Sequence, residues 1–214
     1  MNFTRMTAAL AVVAGLLTGT AAFADESMDT GHDTMMHGIQ MGRFGGPVYS
    51  GPPALAVTAS LVAAGGGADK YSTATALTSM LGAATVKAEV GKLSKQYGEA
   101  AVTTWLKTFD FAVNDSLKIA TAAGVKLPDP TISGKELAET LVKAGTASDG
   151  TFQIEFLLDK AVSHKIHVQV MNDIDKEASL GKKADYDYHR ISNQAFYDVA
   201  QALGLTSVKL AAVH

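Results

Sequence analysis

From residue 54 onward the apolar residues recur every three or four positions, and glycines interrupt the pattern. That spacing puts the apolar side chains on one face of a helix with 3.6 residues per turn, and a glycine just past the last apolar residue is a common helix stop. Ala54–Ala64 is rich in Ala, Val and Leu and stops at Gly65-Gly66-Gly67. Tyr71–Leu81 has apolar residues at 71, 74, 77, 80 and 81. Ala84–Tyr97 carries Val86, Val90, Leu93 and Tyr97 before Gly98. Glu99–Ala123 carries Val102, Trp105 or Leu106, Phe109, Val113, Leu117 and Ala120 before Gly124. A short helix is expected over Lys135–Ala144 behind Ser133, and a closing helix over Ala184–Leu203 with Tyr188, Ile191, Ala195, Phe196 and Val199. Between them, Ser148 or Asp149 is positioned to cap a long helix reaching about Glu177, with Phe152, Phe156, Leu157, Ala161, Val168 and Met171 on its apolar face. No segment alternates apolar and polar residues over several strands. The expected fold class is therefore all-α: a helical bundle built on two long antiparallel helices, 99–123 and 149–177, preceded by a flexible tail. About 160 residues are enough to bury a core.

The N-terminal region reads differently. Arg5 precedes the apolar stretch Ala8–Leu17, and Ala22-Phe23-Ala24 sets small residues before Asp25, the pattern of a cleaved export signal. The apolar stretch is too short to span a bilayer comfortably. The expectation is cleavage after Ala24 and residence in a bacterial periplasm, with no membrane attachment afterwards. Residues 25–53 show no period and read as an extended linker, punctuated by Gly and Pro in its second half.

Composition narrows the chemistry. The 214 residues contain no cysteine, which excludes disulfides, thiolate metal sites, Fe–S clusters and cysteine nucleophiles. The net charge of −3 gives no basic footprint for nucleic acid. There is no dinucleotide-binding or Walker glycine loop, no G-x-S-x-G elbow and no H-E-x-x-H. The triple glycine follows a helix, so it reads as a turn and not as a phosphate cradle.

Two groups of residues carry metal-ligand chemistry. In the tail, Met28, His32, Met35, Met36, His37 and Met41 combine thioethers and imidazoles, ligands that suit copper without a thiolate. In the expected long helix, His164 and His167 lie three apart and share a side, as do Glu155 and Asp159 four apart. On one continuous helix, at about 100° per residue, Glu155 and His164 fall half a turn apart. The acidic pair and the histidine pair then need ligands from other helices, such as Asp110, Asn114 and Asp115, or Asp185, Asp187 and His189.

Ala112-Val113-Asn114-Asp115-Ser116, followed by Gly124-Val125-Lys126-Leu127-Pro128, resembles the first half of a family of exported, ferritin-like four-helix proteins of unknown function. That family carries V-x-D-H on each of two helices, the second after G-x-x-F-D-x-x-Y. Here Phe152, Phe156, Val162, Ser163 and His164 occupy the later places, and the resemblance spans about residues 70–203. It implies a ferritin-like four-helix core with extra short helices, and export. Each motif keeps one ligand-type residue, Asp115 in the first and His164 in the second, and the helical region has no Glu-x-x-His of the kind di-iron bundles use. Gly134–Glu139 ahead of Phe152 also resembles the haem-side helix of small globins, but Leu141 stands near the place of the iron-binding histidine.

Three functions follow as expectations. The first is an exported helical protein without a catalytic site, acting in stress response or as an interaction module. The second is copper binding or sequestration through the Met/His tail, with His164 and His167 as further ligands. The third is a globin-like haem protein. Helix 54–64, almost wholly apolar, is expected to pack on the bundle or on a second copy in a homo-oligomer.

Overall fold

Helix after helix in this chain ends where a residue takes a positive φ. The computed structural model describes residues 52–211, and these form an all-α bundle of eight helices. In chain order they are α1 (Pro52–Ala64), α2 (Thr73–Leu81), α3 (Ala83–Tyr97), α4 (Glu99–Ala122), α5 (Gly134–Gly145), α6 (Ile154–Val162), α7 (His164–Lys176) and α8 (Ala184–Ala202). The expected export signal and most of the expected 25–53 linker lie outside the described residues. Among the described residues no helix is long and apolar enough to cross a membrane.

Three junctions between consecutive helices are single residues of nearly one conformation. Gly82 joins α2 to α3 at φ 81°, ψ 149°, and Gly98 joins α3 to α4 at φ 92°, ψ 144°. Ser163 joins α6 to α7 at φ 86°, ψ 148°. Each of the three carbonyls accepts the backbone N–H four residues on, from Val86, Val102 and His167. Glycine adopts this conformation without a Cβ penalty. Ser163 is the only non-glycine residue with positive φ among the described residues.

The junction at Ser163 corrects the expectation of one helix over 149–177. Residues 151–152 are instead a short strand paired in parallel with 209–210, in the register Thr151 to Lys209 and Phe152 to Leu210. The helical path then starts at Ile154 and breaks at Ser163. The break also resets the buried face. Val168, expected in the core, is 39% exposed, and α7 buries His167, Val170 and Ile174.

The core lies where α4 packs against α3, α7 and α8, and where α5 packs against α2 and α6. Along α4 the buried stripe runs Val102, Trp105, Phe109, Ala112 and Ser116, so small residues take the places expected of Val113 and Leu117. Trp105 Nε1 donates to Ser192 Oγ on α8 at 2.8 Å, in the interior. Phe109 packs on Tyr188, and Phe152 stacks on Phe196 at 4.8 Å between ring centres. Helix α1 packs on α2, α5 and α6, so its apolar face is covered within the bundle.

Helix α6 is held at several points, and it carries the acidic pair. Its first backbone N–H, from Ile154, donates to Asn193 Oδ1 of α8 at 2.9 Å. Near its last turn the Ala161 carbonyl accepts from Thr58 Oγ1 of α1 at 3.1 Å. Lys160 Nζ donates to the Ala144 carbonyl at the end of α5. Donors and acceptors that a helix leaves unsatisfied at its ends are thus used to dock this short helix.

Candidate metal centre

The break at Ser163 brings together groups that a continuous helix separates. Asp159, in the last turn of α6, reaches the first turn of α7. Its Oδ1 lies 3.2 Å from His164 Nδ1 and 2.5 Å from His167 Nδ1. One ligand atom from each of the three residues fits within a 4.8 Å group, the arrangement that can hold a metal ion. This corrects the expectation that the acidic and histidine pairs stay apart. It does so for Asp159; Glu155 faces elsewhere.

Burial is graded across the three groups. The His167 side chain is 4% exposed, Asp159 28% and His164 46%. One side of the cluster is therefore anchored in the core and the other meets solvent, an entry path for an ion. Burial alone raises the Asp159 pKa, but hydrogen bonds and charge from the two imidazoles outweigh it and hold the carboxyl at about 2. The hydrogen bond to Asp159 raises the pKa of His164, against the opposing effect of its burial.

Two imidazole nitrogens and one carboxylate oxygen suit Zn²⁺ or Cu²⁺, with remaining positions left to water. Bonds of about 2.0–2.2 Å to a tetrahedral ion set its ligand atoms roughly 3.3 Å apart. The Asp159–His164 separation of 3.2 Å already matches that spacing. The Asp159–His167 separation of 2.5 Å is tighter than an N–H···O hydrogen bond ordinarily runs, so an ion between these atoms would widen the contact.

The other residues singled out from the sequence go to different places. Asp115 sits against Asp173 of α7, and its pKa is raised first by burial and then by that neighbouring carboxylate. It is therefore not part of the Asp159–His164–His167 group. Ser116, its partner in the degenerate motif, is buried and donates to the Ala112 carbonyl at 2.7 Å. Asp110 accepts from the Thr73 backbone N–H at 2.6 Å, and the Asn114 amide donates to the Asp110 carbonyl. Asp187 pairs with Arg190 at 2.8 Å. Asp185 and His189 gather with Glu155. Leu141, at the position compared with globins, is buried and lines internal cavities of about 30 and 40 Å³. Met28, His32, Met35, Met36, His37 and Met41 lie outside the described residues.

Asp159 is the member of this group that spacing alone assigns to the wrong side. Its recognition requires knowing that the helix breaks at a serine. No family model, curated protein or solved structure matches this chain.

Proposed function

We propose that the protein is an exported helical bundle that binds a divalent transition-metal ion through Asp159, His164 and His167. The observation that supports this is the meeting of one carboxylate and two imidazoles across the Ser163 junction, with all three ligand atoms inside 4.8 Å. A buried imidazole, a half-buried carboxylate and an exposed imidazole give both a fixed anchor and a way in. Copper is the ion that links this group to the tail. Imidazole and carboxylate accept Cu²⁺, and the tail's thioethers with His32 and His37 suit Cu⁺. The role is then binding or sequestration.

The test is Cu²⁺ titration of the exported protein and of Asp159→Asn and His164→Ala, both at positions that tolerate a change without opening the core. Each variant is expected to bind at least about tenfold more weakly. Wild-type affinity in both variants would overturn the helical site. Replacing Met28, His32, Met35, Met36, His37 and Met41 by Ala in the same chain is expected to leave Cu²⁺ binding at the helical group intact and to remove competition for Cu⁺ by the tail.

A further inference from the structure

Glu155 stands one helical turn before Asp159 on α6, and its carboxylate meets a different helix. It faces His189 of α8, and its Oε1 lies 3.4 Å from His189 Nε2. The other ring nitrogen, Nδ1, is 2.9 Å from the Asp185 backbone carbonyl and 3.1 Å from Asp185 Oδ1. The carbonyl holds a proton on Nδ1, and the carboxylate beside it favours that proton electrostatically. Nε2 is then the ring atom that would bind an ion, once the proton it presents to Glu155 is displaced, and the Nδ1 contact is the outer contact that metal-bound histidines typically make.

Three further features point at the space between Glu155 and His189. The 3.4 Å separation is longer than a charge-assisted hydrogen bond and is near the spacing of two neighbouring ligands on one octahedral ion. Glu155 Oε2 is buried without a hydrogen-bond partner. The Tyr188 side chain is fully buried, and its hydroxyl also has no partner. Its ring meets the His189 ring edge-on, 5.5 Å between centres, and burial raises the pKa of the hydroxyl most, with Glu155, Tyr71 and Asp185 raising it further. Buried polar atoms left unpaired are costly, and a cation or a water is what normally satisfies them.

We propose that Glu155 and His189 form a second cation site, with Asp185 orienting the imidazole and the Tyr188 hydroxyl beside the ion. A carboxylate that can bind through both oxygens, one imidazole and one phenol oxygen make a harder donor set than the first group, so the matching ion is an oxygen-preferring divalent metal such as Mn²⁺. The site does not depend on the Asp159 group. The two share only helix α6, which presents a carboxylate to each from adjacent turns.

The experiment is Mn²⁺ titration of the exported protein followed by electron paramagnetic resonance. Asp159→Asn is expected to retain bound Mn²⁺, whereas Glu155→Gln and His189→Gln are each expected to weaken it by about tenfold or more. Pulsed measurements are expected to show a nitrogen coupled to the bound Mn²⁺ in wild type and not in His189→Gln. Glu155→Gln changes one atom type at constant volume, and its circular dichroism checks that the bundle is intact. Mn²⁺ binding equal in wild type and Glu155→Gln, or none in wild type, would overturn the proposal; a water-filled ion triad predicts that result. Loss of Cu²⁺ binding in Asp159→Asn bears only on the first site, so the two readings fail separately.

Discussion

Asp159 and His167 are eight residues apart in sequence, yet Asp159 Oδ1 and His167 Nδ1 are 2.5 Å apart. Eight residues of continuous helix would separate them by about 12 Å along the axis. Ser163 makes the contact possible by breaking the helix at φ 86°, ψ 148°, a region that L-residues avoid. The equivalent junctions at 82 and 98 use glycine. Replacing Ser163 by Gly removes a strain of about 1–3 kcal/mol and adds back about 0.5–1 kcal/mol of unfolded-state freedom. Ser163→Gly is expected to stabilise the protein by about 1 kcal/mol in urea unfolding while keeping metal binding. Ser163→Val is expected to lose both.

The titrating groups set a pH profile for the metal-free protein. Asp159 has a folded-state pKa of about 2 against 3.8 unfolded, so its contribution is full above roughly pH 4 and is lost as pH falls through 2. His189 is shifted the other way. Burial lowers its pKa, but the Asp185 hydrogen bond and the charges of Glu155 and Asp185 overcome this and raise it from 6.5 to about 9. Its contribution is full below pH 6.5 and is lost as pH rises through 9. Stability measured by denaturant is expected to be highest between about pH 4 and 6.5 and to fall by up to about 3 kcal/mol toward pH 9. His189→Gln should flatten the alkaline limb and Asp159→Asn the acid limb. A profile unchanged by both would contradict these assignments.

Gly145 ends α5 against an aromatic ring. A Cβ at this position would lie 2.2 Å from the edge of Phe152, whose side chain is fully buried and stacked on Phe196. The ring cannot retreat, because the pairing of residues 151–152 with 209–210 and the Phe196 stack hold it. Gly145→Ala is expected to cost about 2 kcal/mol or more, in line with overpacking of a dense core. Pairing it with Phe152→Leu should recover part of that loss, and additive losses in the double variant would show that the two positions do not collide.

The contrast between junctions explains what could be read from the chain. At 82 and 98, glycine marks the helix ends, and the spacing of Leu93, Val102, Trp105 and Phe109 then places the core correctly. At 163 a serine carries the same conformation with no compositional signal, so residues 149–177 read as one helix and Asp159 falls on the wrong side of the histidines. On α4 the choice of Ala112 and Ser116 over Val113 and Leu117 depends on how closely neighbouring helices approach. Periodicity alone cannot report that. Glu155 and His189 lie on different helices 34 positions apart, and their meeting is a product of tertiary packing. The two-residue strands are too short to show alternation.

Asn193 gives a test of how firmly α6 must be held for either carboxylate to act. Its side-chain carbonyl accepts the Ile154 N–H at the start of α6, one residue before Glu155 and five before Asp159. A lost helix cap costs about 1 kcal/mol. Asn193→Ala is expected to show that loss in thermal unfolding, together with weaker Mn²⁺ binding at Glu155 and His189, because the first turn of α6 is released. The last turn is held separately by Thr58 and Lys160, so Cu²⁺ binding at Asp159 should change much less. Asn193→Asp, which keeps an acceptor oxygen at the same place and favours a helix N-terminus electrostatically, is expected to restore both stability and Mn²⁺ binding. Equal weakening of both metals in Asn193→Ala would mean that α6 responds as one rigid unit, and that the separate anchors at its two ends do not act independently.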